Sequence, residues 1–178
     1  MSSANPVNLL MHEHEVIQKL QESLIKIEGL WEKDADKYKM LMQKVLSFLK
    51  EYSDGYHHQK EERVLFPALE ENPSFTLDTI ITELNEHHEN FRDYAAEIGE
   101  NVENGNYKKA NEILKKYLNE LLDHIAIEND ELFIMAENLF EPGELESMFF
   151  RFKDIDRDLG EDKKAAFEKF PEELEKSL

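Results

Sequence analysis

The chemistry of this 178-residue chain is most visible in its seven histidines, six of which fall into three near-adjacent pairs. His57 and His124 are each followed four residues later by a glutamate, and each glutamate is followed four residues later by a Leu-Phe pair. Residues i and i+4 lie on one face of an α-helix, about 6 Å apart. The sequence therefore presents an imidazole and a carboxylate on one helical face twice, in matching apolar surroundings.

The segments that precede these two motifs also match each other. Without gaps, His14 aligns with His88 and Leu10 aligns with Leu84, and the apolar residues that follow each histidine align as well. We interpret the chain as a duplicated pair of helices. The first helix of each pair contributes one inward histidine, and the second contributes His-x-x-x-Glu.

Both glutamates lie on helical faces that the neighbouring apolar residues direct toward the core. Burying an unpaired carboxylate costs several kcal/mol, so we expect positive charge between them. Four imidazoles and two carboxylates fit a pair of divalent or trivalent metal ions with bridging carboxylates. Nitrogen and oxygen donors without sulfur suit iron or manganese, and zinc less exclusively. The predicted metal ligands are His14, His57, Glu61, His88, His124 and Glu128.

The neighbouring histidines leave one alternative open. His87 also borders the inward face of its helix, and Glu83 lies one turn earlier. The ungapped alignment favours His88, but if His87 is the ligand instead, Glu83 becomes a candidate extra ligand. His12 and His58 are displaced from the inward faces of their helices, and we predict that both are exposed to solvent.

The elements that must position these residues are helices. Apolar residues recur at helical spacing between the few glycines and prolines, and no strand-like alternation is present. The pattern predicts four long amphipathic helices, at about 7–31, 37–68, 76–104 and 107–140. With short connections they form an all-α, up-down-up-down four-helix bundle. We expect residues 1–140 to form this bundle with its metal site.

Residues 141–178 are predicted to form a short C-terminal helical extension of unknown role. Its aromatic residues, Phe149, Phe150 and Phe152, could pack onto the bundle. They could also form an interface to a second copy of the chain or to another protein.

Composition and charge exclude several classes of function. The formal charge of −19 disfavours nucleic acid and anionic membrane surfaces as partners. No stretch approaches the ~18–20 apolar residues of a transmembrane helix. The lack of cysteine excludes disulfides and thiolate metal sites. The first eleven residues show no basic or apolar region typical of a secretory signal, so we expect a cytoplasmic protein.

Four separated motifs, in order over about residues 7–140, resemble the bacterial hemerythrin-like, or HHE cation-binding, domains. This resemblance implies a four-helix bundle with a non-haem centre of two iron ions. It implies that His14, His57, His88 and His124 are terminal ligands and that Glu61 and Glu128 bridge the irons, with manganese or zinc as alternative metals. The motifs are Glu13-His14, HHQKEERVLFPAL from His57 to Leu69, NEHHENFRDY from Asn85 to Tyr94, and DHIAIENDELF from Asp123 to Phe133.

The chain departs from the oxygen carriers of this family at one position. Those proteins supply five histidines, two of them one turn apart on the third helix. Here Leu84 stands one turn before His88. The resemblance therefore implies a more open metal ion, or one completed by His87, Glu83 or water.

Three functions are compatible with these residues. The first is a diiron protein that binds O2 or NO in a sensing, protective or iron-handling role. The second is a diiron redox enzyme, such as an oxidase, a peroxidase or a protein for NO-related repair of iron centres. The third is a metal-stabilised helical interaction module. Ferritin-type iron oxidation is disfavoured because those bundles place Glu before His at a spacing of three.

Overall fold

The structure, a computed structural model, describes residues 5–178 except for the side chain of Asp78. Helices make up almost all of this part of the chain, and it contains no β-strand. The α-helices are α1 (Pro6–Ile27), α2 (Leu30–Lys33), α3 (Ala35–Phe48), α4 (Phe66–Glu71), α5 (Asp78–Glu103), α6 (Tyr107–Ile127), α7 (Phe133–Leu139), α8 (Pro142–Leu159) and α9 (Glu161–Ser177).

Three π-helical segments join some of these helices end to end. Leu49–His58 and Glu61–Leu65 connect α3 to α4, and the resulting rod is the second bundle helix. Glu128–Leu132 connects α6 to α7, and this rod is the fourth bundle helix. The first and third bundle helices are α1 and α5. All three π-helical segments begin or end at residues of the two His-x-x-x-Glu motifs.

Local sequence signals set the ends of the bundle helices. The Asn5 side chain accepts a hydrogen bond from the backbone N–H of Val7 at 2.9 Å, and Asp34 caps α3 in the same way. Gly29, with φ +76°, ends α1 a few residues before the predicted boundary at position 31. Gly105, with φ +72°, provides the left-handed residue between α5 and α6.

Contacts between the bundle helices show that neighbours run antiparallel. As residue numbers rise along one helix, the numbers of its contact partners fall along the next. This order confirms the predicted up-down-up-down four-helix bundle. The pairs are Glu13–Lys60 and His14–His57 for the first and second helices, Gln43–Glu103 and Asp54–Arg92 for the second and third, Tyr94–Glu120 and His87–His124 for the third and fourth, and Gln21–Leu118 and Asn5–Glu137 for the fourth and first.

The C-terminal residues form two helices that share the bundle core. Phe152 and Ile155 of α8 and Leu174 of α9 belong to the same buried apolar cluster as the bundle residues. Phe167 of α9 packs edge-on against Phe48 of the second bundle helix, with ring centroids 5.8 Å apart. The described helices include none that is both long enough and apolar enough to cross a membrane.

The burial of α8 leads to a test of its contribution to the fold. Phe152 is fully buried, whereas Phe150 on the same helix is 59% exposed. We expect Phe152→Ala to lower the free energy of unfolding by about 3–5 kcal/mol, because it removes a large apolar side chain and leaves a cavity. Phe150→Ala should change it by no more than about 0.5 kcal/mol. Urea unfolding of both variants measures the difference, and equal effects would contradict the packing described here.

Candidate metal centre

The predicted ligands meet in the interior of the bundle. Each of the four bundle helices contributes to the group, and every member is at most 1% exposed. Glu61 and Glu128 are the first residues of the second and third π-helical segments. The residues brought together are His14 from α1, His57 and Glu61 from the second bundle helix, His88 from α5, and His124 and Glu128 from the fourth bundle helix.

His58 also lies in this interior, and its predicted exposure was wrong. The side chain is 1% exposed. An α-helix turns successive residues by about 100°, which would separate the directions of His57 and His58. Both residues lie in a π-helical segment, whose i to i+5 hydrogen bonds enclose more residues per turn. The smaller rotation per residue lets both histidines face the core. His12, by contrast, is exposed as predicted.

The buried side chains form two clusters that could each hold a metal ion. Within each cluster, one ligand atom from every residue lies within 4.8 Å of the others. Glu61 belongs to both clusters, so the two candidate sites are adjacent. The two-histidine cluster contains His14, His57, Glu61 and Glu128, and the three-histidine cluster contains His58, Glu61, His88 and His124.

The two oxygens of Glu61 face different clusters. Oε1 lies 3.5 Å from Nε2 of His57, and Oε2 lies 3.6 Å from Nε2 of His88. Glu128 is arranged in the same way, with Oε2 3.2 Å from Nε2 of His14 and Oε1 3.3 Å from Nε2 of His124. Each carboxylate therefore places one oxygen beside a histidine of each cluster.

Several polar atoms at this centre have no hydrogen-bond partner in the protein. All four carboxylate oxygens of Glu61 and Glu128, and Nε2 of His14, are buried without a hydrogen-bond partner. Their approaches to neighbouring nitrogens are short but lack hydrogen-bond geometry. Buried carboxylates without partners cost several kcal/mol, and cations between them would remove this cost. The donor set, with imidazole nitrogen and carboxylate oxygen only, fits iron or manganese and also accepts zinc.

Each of the five clustered histidines makes a polar contact through Nδ1, on the side of the ring that faces away from the clusters. This contact fixes the ring, and where the partner is an oxygen it assigns the proton to Nδ1. Nε2 then carries the lone pair that a metal ion requires. The partners of Nδ1 are Asn129 at 2.8 Å for His14, Glu13 at 3.0 Å for His57, Asp54 at 3.3 Å for His58, Glu62 at 2.7 Å for His88, and Nδ1 of His87 at 3.3 Å for His124.

The internal duplication extends to these outer partners. In the ungapped alignment Glu62 corresponds to Asn129, and each holds the first-helix histidine of the opposite half. Glu13 corresponds in the same way to His87, and each contacts the histidine of the following His-x-x-x-Glu motif. His87 is thus placed behind His124, outside both clusters. Glu83 lies on the exposed surface.

The electrostatics of the centre favour neutral imidazoles. Burial lowers the pKa of His57, and it lowers the pKa of His58 and of His88 to about 3. These rings are therefore uncharged at neutral pH and can donate lone pairs. Burial and the nearby Glu128 carboxylate raise the pKa of Glu61 well above its usual value. Two carboxylates this close cannot both be ionised without a large electrostatic cost unless a cation lies between them.

The three-histidine cluster is tied to the surface through Arg92. Its guanidinium donates to Asp54 at 2.9 Å and to Glu62 at 2.6 Å, the two carboxylates behind His58 and His88. A cavity of about 200 Å³ lies beside this arginine, and the His58 ring forms part of its wall. This cluster therefore lies next to a space large enough for a small molecule.

The fold and its buried histidine–carboxylate clusters define a helical cation-binding domain. The family model of the Hemerythrin HHE cation binding domain matches residues 5–136, and the chain belongs to this family. The matched segment includes every residue of both clusters and ends before α8. We found no match among curated proteins or among solved structures.

The raised pKa of Glu61 predicts that Glu61 lowers the stability of the metal-free protein and raises that of the iron-loaded protein. A folded-state pKa above the unfolded value means that ionised Glu61 destabilises the metal-free fold at neutral pH. We expect Glu61→Gln, in metal-free protein, to unfold at the same temperature as wild type or higher. With iron(II) at about 100 times its dissociation constant, wild type should gain about 5–10 °C in Tm and the variant should gain much less.

Thermal unfolding followed by circular dichroism, with and without anaerobic iron(II), measures both effects. Glu83→Gln is the matched control, because that glutamate is exposed and lies outside the clusters. It should respond to iron as wild type does. A Glu61→Gln variant that gained as much from iron as wild type would show that Glu61 is not a ligand.

Proposed function

We propose that this protein holds a non-haem diiron centre and uses it to bind O2 or NO in a sensing, protective or iron-handling role. The observation that carries the proposal is the pair of adjacent clusters with two carboxylates between them. Each carboxylate turns one oxygen toward each cluster. Two cations, rather than one, are what this arrangement of donors would satisfy.

The proposed ligand set is uneven between the two ions. His14 and His57 would hold one ion, and His58, His88 and His124 would hold the other, with both glutamates shared. This gives four protein donors on one side and five on the other, so six-coordinate ions would keep open positions. His58 thereby supplies the fifth histidine that Leu84 does not provide on the third helix. When bound, the iron pair would supply the affinity for a diatomic ligand.

The surrounding residues support binding of a small apolar molecule. Phe133 stacks on His14 with ring centroids 5.4 Å apart, and Phe66 stacks on His88 at 5.8 Å. Phe91 packs edge-on against His124 at 5.3 Å. These phenyl rings exclude water and offer no hydrogen bonds that could replace the hydration shell of an anion. They therefore favour an uncharged diatomic molecule over hydrated anions. The 200 Å³ cavity beside Arg92 provides room for such a molecule near His58.

The proposal is tested by metal content and by absorption spectra. Protein purified without metal is loaded with iron(II) under anaerobic conditions, then exposed to air or to NO and afterwards to vacuum. About two irons per chain, with charge-transfer bands that appear with the gas and disappear without it, are expected. Irreversible oxidation would instead favour the redox enzyme. Tightly bound zinc in place of iron, or spectra indifferent to both gases, would favour a structural metal site.

His58 provides a second test, because it distinguishes the proposed ligand set from one with four histidines. We expect His58→Ala to weaken the binding of iron on the three-histidine side, which loses one of its five donors, so that fewer than two irons per chain remain after gel filtration. The exposed His12 is the matched control, and His12→Ala should keep wild-type iron. Iron per chain is measured after gel filtration by a colorimetric chelator. Full iron content in His58→Ala would contradict the ligand role.

A further inference from the structure

Lys60 is a fully buried cation beside the two-histidine cluster. It is 0% exposed, and its Nζ forms ion pairs with Glu13 and, at 2.9 Å, with Asp156 of α8. The ring of Tyr56 lies 3.7 Å from Nζ, and the Tyr56 hydroxyl donates to Asp156 at 2.6 Å. A buried ammonium is costly unless it is paired, so these contacts hold Lys60 in one position.

Glu13 connects this group to a proposed ligand. One of its oxygens accepts from Lys60, and the other accepts from Nδ1 of His57 at 3.0 Å. The Glu13 carboxylate therefore orients the His57 ring and makes the other ring nitrogen, Nε2, a more basic metal ligand. An unbroken path of charge-assisted contacts runs from α8 to this ring.

The duplicated half of the bundle lacks this buried group. In the alignment of the two halves, Glu13 corresponds to His87 and Lys60 corresponds to Ile127. His124, the counterpart of His57, accordingly has an imidazole rather than a carboxylate behind it. The same helices pack in both halves, but only one half contains the buried carboxylate–lysine–carboxylate group.

We propose that Asp156, Lys60 and Glu13 form a positioning chain that makes α8 part of the two-histidine side of the metal centre. This inference rests on the proposed diiron function. Glu13 orients His57, Lys60 holds Glu13, and Asp156 holds Lys60 from the C-terminal helix. The three side chains do not bind the ion themselves. The C-terminal helices thereby control one of the two sites and leave the other to its own outer partners.

Stepwise cobalt(II) binding to metal-free protein, in competition with a chelator, tests the chain. Asp156→Asn preserves the size of the side chain but removes the charge that holds Lys60. Loss of the direct partner of a ligand, which here is Glu13, weakens metal binding roughly 10–100-fold, so we expect Asp156→Asn to weaken binding by up to about that factor, and for one ion only. Asp158→Asn, an exposed position on the same helix, is the control and should leave both dissociation constants unchanged. Unchanged binding in Asp156→Asn, or equal weakening of both ions, would overturn the proposal.

A metal-independent measurement separates this inference from the diiron proposal. In metal-free protein with 15N-labelled histidine, the Nδ1 proton of His57 gives an NMR signal that can be assigned with His57→Gln. We expect Asp156→Asn and Glu13→Gln to shift this signal or speed its exchange, whereas Asp158→Asn does not. Circular dichroism checks that each variant is folded. An unmoved signal overturns the positioning chain, whereas wild-type protein that shows the coupling but binds no metal overturns the diiron proposal alone.

Discussion

The interior of this bundle is organised around two buried carboxylates that face each other without hydrogen-bond partners. Glu61 and Glu128 could not both remain ionised there at an acceptable cost unless cations lie between them. The other features of the centre follow from this constraint. Five imidazoles surround the carboxylates, and each ring is fixed by a contact on its outer nitrogen. The fold thus carries a destabilised centre that the binding of cations would relieve, as expected of a cation-binding family.

The two halves of the duplication both place their motif residues around the centre, but they differ in local helical winding and in side-chain chemistry. Corresponding positions lie in corresponding places, yet His58 in one half is matched by Ile125 in the other, and Glu62 is matched by Asn129. One side of the centre therefore has three histidines tied to a surface arginine, and the other has two histidines backed by a buried ion-pair group. Two repeated helix pairs can in this way present two unequal clusters of potential metal ligands.

Helices α8 and α9 complete the core of the bundle, although the family match ends before them. Their packing against the first two bundle helices buries apolar residues and also delivers one carboxylate, Asp156, to a lysine next to the centre. Stability and site geometry are therefore linked in this molecule. In the proposed positioning chain, a change that moved α8 would alter the position of Lys60 and, through Glu13, that of the His57 ring.

The sequence by itself determined the all-α class, the four bundle helices, the duplication and the group of six residues that meets in the interior. These features depend on spacing along the chain, because the 3.6-residue period and the i to i+4 relation place side chains before any tertiary contact forms. The tertiary structure alone decided that His58 turns inward, that His87 stands behind His124, and that Asp156 reaches Lys60. The inward direction of His58 depends on local π-helical winding, which the sequence pattern did not predict. The contacts of His87 with His124 and of Lys60 with Asp156 join residues that lie 37 and 96 positions apart in the chain. Such contacts exist only once the helices have packed.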